Sequence, residues 1–247
     1  MDSGTLETPR TSRTFLTAEW RHLAMLNYEV EPRLLAGFVP VGTELDSWNG
    51  KTFVSLVGFR FLKTRVFGVA FPFHCNFDEV NLRFYVQRRA GAEVRRGVVF
   101  VREIVPRRAI ATVARAFYGE RYLALPMSHR IQANDADVAV EYGWRFSQRW
   151  NRIHLTTSGS SAFPADGSAE QFITEHYWGY AAAPDGGCVE YRVRHPQWKV
   201  WSAGAASFDG SMEELYGRDL NQVLQRPPES AFLAEGSAVS VHRGTRL

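Results

Sequence analysis

The sequence predicts a β-rich α+β fold, a closed or curled sheet with three or four short helices. Apolar and polar residues alternate strictly in several segments, as in strands with two unlike faces. Aromatic residues make up 13% of the 247, with 17 Phe and 7 Trp, a bias toward pleated surfaces and large pockets. Segments of helical spacing are short and do not alternate with strands as βαβ units would. The 45% apolar content is enough for a sizeable core.

Residues 1–13 are rich in Thr, Ser, Pro and charge and read as a disordered tail, with residues 14–247 as one domain. Thr17 is placed to cap a short helix through Leu23. Met25–Val30 reads as a strand, and Glu31–Leu35 as a helical turn with proline in its first turn. Thr52–Phe59 is a strand too apolar for an exposed edge. In Glu79–Val86, Val80, Leu82, Phe84 and Val86 share one face, while Glu79, Asn81, Arg83 and Tyr85 share the other. Gly97–Val105 reads as its hairpin partner across the Gly91 turn.

Arg107–Tyr118 has helical spacing after Pro106. Val138, Val140, Tyr142, Trp144 and Phe146 alternate, and a strand follows at Ile153–Thr157. Ser168-x-x-Gln171 is a capping-box pattern, and strands follow near His176–Tyr180, Cys188–Arg194 and Val200–Ala206. Ser211-x-x-Glu214 reads as a second box before a helix to about Leu224. Pro227-Pro228 ends it, and two short strands finish the chain.

The formal net charge is +3, and the cations are nearly all arginine. The lysines are Lys51, Lys63 and Lys199, so chemistry that needs a lysine amine has three places to look. Arg88-Arg89 and Arg95-Arg96 are the nearest thing to a nucleic-acid footprint. Both signs of charge are spread along the chain, so they read as a solvated hairpin tip and no nucleic-acid partner is expected. Cys75 and Cys188 are far apart and read as reduced thiols. With neither a signal-like apolar stretch nor a membrane-length one, the expectation is a cytoplasmic protein without a membrane partner. The sequence contains no P-loop, G-x-G-x-x-G, H-E-x-x-H, C-x-x-C or G-x-S-x-G, and no cofactor or metal is expected.

The candidate site is the block Phe71–Val86, FPFHCNFDEVNLRFYV. If its polar face points inward, Glu79, Asn81 and Arg83 occupy a low-dielectric lumen and need partners or a ligand. Arg83 then suits a carboxylate in bidentate fashion, and Glu79 with a raised pKa suits acid–base work alongside His74. If that face points outward, it is an ordinary solvated strand face. The apolar run Gly97–Val101 followed by Arg102 and Glu103 adds a second charge pair, in the manner of a barrel rim or interior. Tyr118, Tyr122 and His129 are further candidates to line the same space.

The strings EVNLRFYV, RRGVVFVREIVPRRAIATVAR, WRHLAMLNYEV and RPPESAFLAEGSAVSVHRG resemble the uncharacterised bacterial YqjF-like family over nearly the whole chain after about Phe15. That family is similar to a distant branch of the acetoacetate decarboxylase superfamily. The resemblance implies a closed, cone-like antiparallel β-barrel with a few short peripheral helices and a buried pocket. It also implies a Schiff-base lysine whose pKa an adjacent lysine lowers, with glutamates and an arginine completing the site. Glu79 stands in a place comparable to one of those glutamates. The lysine pair is expected near Tyr118–Tyr122, where the chain has Glu120 and Arg121 and no lysine. Arginine cannot form the imine, which leaves Lys199, beside His195 and Trp198, as the substitute to examine.

Three functions follow as expectations. One is a barrel that binds a small organic anion, such as a carboxylate, in a polar lumen. Another is a lysine-independent lyase or hydrolase using Glu79 and His74. The third is a non-catalytic interaction or assembly protein, with homo-oligomer formation left open and Trp144, Trp150, Trp178, Trp198 and Trp201 as patch or core.

Overall fold

The alternating segments become strands, and the longest of them are covered on both faces. The computed structural model describes residues 13–108, 112, 121–134, 137–183 and 185–247. Seven strands make a ring: β1 (Thr14–Glu29), β3 (Phe53–Val66), β4 (Phe77–Ala90), β5 (Glu93–Val105), β10 (Trp178–Ala182), β11 (Cys188–Arg194) and β13 (Ser230–His242). The path runs β11–β10–β5–β4–β3–β1–β13 and returns to β11, which pairs with both β10 and β13. All these pairings are antiparallel except β10–β5. The β10–β11 hairpin is held narrowly. It meets β5 through Trp178↔Gly97 and Gly179↔Val98, and β13 through Val193↔Val241 and Arg194↔Ser240.

From β13 the sheet continues as a second layer through β12 (Val200–Asp209), β9 (Arg149–Thr157), β8 (Val138–Phe146) and β7 (Met127–Ala133). Short strands β2 (Glu44–Leu45), β6 (Tyr122–Ala124) and β14 (Thr245–Arg246) pair with β4, β5 and β11. The described helices are α1 (Ala169–Thr174), α2 (Glu213–Tyr216) and α3 (Arg218–Leu224), and 3-10 turns span Pro32–Leu34 and Ala36–Phe38. No described helix is long and apolar enough to cross a membrane.

Two cores follow from this layering. Val80, Leu82 and Phe84 of β4 pack outward on Tyr142, Trp144 and Ile153 of the second layer. Tyr85, with Met25, Val57 and Phe59 from neighbouring strands, faces the ring interior, where Phe172 and Ile173 of α1 cap it. Of the five tryptophans offered as patch or core, Trp144 and Trp198 are buried and the rest are half-buried.

Three expectations are corrected. Thr17–Leu23 is not a helix: it lies within β1, paired to β3 and β13 on both sides. A bulge in the pairing with β3 between Arg21 and Ala24, where His22 takes φ 54°, shifts the pleat. Ala18, Trp20, Leu23 and Met25 therefore share one interior face, and the step from Trp20 to Leu23 imitates a helical spacing. Ser211 does not cap the next helix. Met212 does, its N–H donating to Asn221 Oδ1 at 2.8 Å, and Gly217 at φ 82° breaks the segment into two short helices. The C-terminal pair of short strands is instead one 13-residue strand and a two-residue one. Ser168 does accept the Gln171 N–H at 3.2 Å, as the first box predicts. The expected tail except for Arg13, and the expected helix over 107–118 except for residues 107, 108 and 112, lie outside the described residues.

The second layer docks on the ring where Gly58 gives way to the Tyr142 ring; a Cβ there would sit 2.7 Å from Tyr142 Cδ2. Tyr142 Oη donates to His22 O at 2.8 Å across the same joint. Gly58→Ala is expected to cost about 1–3 kcal/mol by overpacking, read as a lower urea midpoint at unchanged m-value.

Candidate functional site

The ring interior opens into a cavity of about 540 Å³. Trp20, Phe61, Phe77, Phe100, Tyr191 and Trp198 make most of its wall. Phe61 and Phe77 stack at 4.6 Å, and Trp20 stands edge-on to Phe61 and Trp198 at 5.6 and 6.3 Å. Phe67, Phe71 and His74, from the segment joining β3 to β4, line the side where the cavity meets solvent, and both phenylalanines are exposed.

Among the described residues, Arg83 is the buried cation of this space, 8% exposed. It stands on the odd face of β4, the face shared by Glu79, Asn81 and Tyr85. Its Nη2 donates to Ile173 O at the end of α1, 3.3 Å away, and its Cζ lies 5.7 Å from the centre of the Tyr85 ring. Its Nε has no partner, and among the described residues no carboxylate comes within ion-pair distance of the guanidinium.

Glu79 is also buried. Asn81 Nδ2 donates to its Oε1 at 3.0 Å and Tyr122 Oη to its Oε2 at 3.2 Å. Burial pushes its carboxyl up to about 7, against the opposing pull of these two hydrogen bonds and of the Arg83 charge. Tyr122 itself lines the cavity and joins Glu79 to it. Asn81 lies opposite Glu103 of β5, and Glu103 lines the cavity too. Arg102 does not share that side. It pairs with Leu82, on the face turned to the second layer, and its charge acts on Tyr216 of α2.

The remaining sequence candidates disperse. His74 stands at the cavity mouth with Nδ1 donating to Pro72 O at 2.8 Å. His129 is not at the cavity: on β7 it pairs with Asp78 at 2.9 Å, which Arg60 also holds at 3.2 Å. Tyr118 lies outside the described residues. None of the lysines lines the cavity. Lys51 pairs with Glu29 and Glu229, Lys63 with Glu19, and exposed Lys199 lies over the Phe163 ring. The Schiff-base amine implied by the resemblance therefore has no counterpart there. Of the arginines at the hairpin, Arg88 and Arg95 clamp Glu190 and Arg96 holds Asp46.

Two cavity histidines went unread in the sequence. His176, buried, directs Nε2 at Asp46 Oδ2, 3.1 Å away, and Arg96 Nε holds the same oxygen at 2.7 Å. Burial lowers the His176 pKa to about 4, with the Arg96 and Arg83 charges adding to it against the pull of Asp46. Burial raises the Asp46 carboxyl pKa, but the hydrogen bonds from His176 and Arg96 outweigh it and the net shift is downward. His195 stacks on Trp198 at 4.1 Å, and burial likewise lowers its pKa to about 4. Asp46 and His176 are separated by 130 positions, so no spacing motif could announce them.

The fold is that of acetoacetate decarboxylase-like proteins. The chain is similar to acetoacetate decarboxylase from Legionella pneumophila, at TM-score 0.64 and 13% identity over 99% of this chain and 93% of that one. An acetoacetate decarboxylase-like enzyme from Sphingomonas wittichii RW1 matches at TM-score 0.64 and 12% identity, each chain covered in full. The enduracididine biosynthesis enzyme MppR complexed with pyruvate matches at TM-score 0.66 and 11% identity, over 98% and 93% of the two chains. At such identities the likeness is one of fold. Through residues 17–238 the chain belongs to the DUF2071 family, described as "Uncharacterized conserved protein (COG2071)". No curated protein matches it.

Glu79 yields a pH prediction. Its folded-state pKa is raised, so the favourable neutral form is present below about pH 4.5 and is lost as pH rises toward 7. His176 and His195 act oppositely, losing stability as pH falls from 6.5 toward 4. The difference between Glu79→Gln and wild type isolates the carboxyl. Measured by urea unfolding, it is expected to move in favour of glutamine by up to about 3 kcal/mol between pH 4.5 and 7, and to stay flat below that range.

Proposed function

We propose that the chain binds a small organic anion, with the anionic group on Arg83 and an apolar body in the aromatic sleeve. The carrying observation is the buried Arg83 guanidinium, which lines the cavity and, among the described residues, has no carboxylate within ion-pair distance. A buried charge without an ion-pair partner is costly, and a ligand carboxylate offsets part of that cost with bidentate geometry. The cavity volume is that of a small-molecule site with apolar walls and a few convergent polar groups. MppR, which shares the fold, is complexed with pyruvate, a small carboxylate, and this supports the class of ligand.

Isothermal titration with straight-chain and phenyl-substituted monocarboxylates tests the reading. Wild type is expected to bind at least one, and Arg83→Gln to bind it ten- to a hundredfold more weakly. Equal affinity in the two proteins would remove Arg83 from the site and the reading with it.

A second reading is favoured by Glu79, a buried carboxyl that titrates near neutrality and is joined to the cavity by Tyr122. It is an acid–base lyase or hydrolase acting without a lysine. On a substrate found by screening, Glu79→Gln is expected to lower kcat at least a hundredfold with KM little changed. Full turnover in that variant would exclude Glu79 as the acid or base.

A further inference from the structure

Around Arg83 the cavity wall carries a second recognition element. His176 follows Ile173, the residue whose carbonyl takes Arg83 Nη2, by three positions. Both side chains rest on Tyr85: the Arg83 Cζ is 5.7 Å from its ring centre, and the His176 ring 4.7 Å. Phe172 stands edge-on to the His176 ring at 5.0 Å, so the imidazole is fixed in plane and position.

Its proton is fixed as well. Asp46 accepts from His176 Nε2 at 3.1 Å and from Arg96 Nε at 2.7 Å. An ionised carboxylate only accepts, so Nε2 carries the hydrogen and Nδ1 is left as a lone-pair acceptor. That Nδ1 is buried and without a hydrogen-bond partner, on a side chain that lines the cavity. Buried acceptors of this kind are ordinarily satisfied, so a donor is missing from the set.

We propose that His176, oriented by Asp46 and Arg96, accepts a hydrogen bond from a hydroxyl on the bound anion, so that the cavity takes a hydroxy acid with an apolar tail in preference to a plain carboxylate. This rests on the anion-binding reading and specifies its ligand. Arg83 takes the carboxylate, His176 the hydroxyl a few bonds away, and the aromatic sleeve the remainder. Asp46 and Arg96 are positioning residues, acting through the imidazole.

The test uses phenylpropanoate and its α-hydroxy and β-hydroxy derivatives, titrated calorimetrically into the full chain and into His176→Phe, Asp46→Asn and Arg83→Gln. Wild type is expected to bind one hydroxy acid about tenfold more tightly than phenylpropanoate. In His176→Phe that preference disappears while phenylpropanoate binding persists; in Asp46→Asn it falls because the amide no longer dictates which nitrogen carries the hydrogen. Arg83→Gln weakens all three acids alike. Long-range ¹H–¹⁵N spectra of the wild-type chain provide a readout independent of folding of the variants, with the hydrogen of His176 expected on Nε2. No hydroxyl preference in wild type, an undiminished one in His176→Phe, or a hydrogen on Nδ1 would each overturn the inference while leaving the anion site standing. Failure of all three acids to bind wild type would overturn both.

Discussion

The molecule is organised by the covering of β4 on both of its faces. A strand with an alternating sequence ordinarily gives one face to water. Here the second layer covers the apolar side, and ring closure encloses the polar side. Glu79, Asn81 and Arg83 are thereby confined to a space of low dielectric, where each must find a partner or change its protonation state. The rest of the site consists of the ways in which they do so.

Those ways are unequal. Glu79 tends toward its neutral form and shares hydrogen bonds with Asn81 and Tyr122. His176 and His195 also favour their neutral forms, partly because the Arg83 charge opposes a second cation nearby. A guanidinium cannot take that course, since its pKa lies far above any cellular pH. Arg83 therefore keeps its charge beside Glu79, His176 and His195, which favour their neutral forms, and Glu103 lines the same cavity.

Much of this was legible in the sequence, for reasons that can be traced. The alternation of Glu79–Val86 named the strand and separated its two faces, and the hairpin to Gly97–Val105 followed from the turn between them. Periodicity alone could not say which face was wet, because covering β4 on both sides requires strands more than fifty residues away in sequence. The His22 bulge disguised part of β1 as a helix, since one added residue changes a period of two into a step of three. Arg102 and Glu103 looked like one charge pair, yet neighbouring strand residues point to opposite faces, and only Glu103 reaches the cavity. His176 was unreadable for another reason: its partner Asp46 arrives just after the short strand β2, from a distant part of the chain, and no local pattern encodes that meeting.

The ring is also mechanically uneven. The β10–β11 hairpin is stitched to β5 and β13 by two short ladders, whereas β1 is paired along nearly its whole length on both sides. At the β5 edge the chain can approach β10 only because Gly97 lacks a side chain; a Cβ there would lie 2.6 Å from the Tyr180 ring. Arg88 of β4 and Arg95 of β5, gripping Glu190 of β11, tie the hairpin to the ring by charge. Trp178, Tyr191 and Val193 of this narrowly laddered hairpin line the cavity. A stave fastened by charge where its neighbours are fastened by backbone is held less firmly as ionic strength rises.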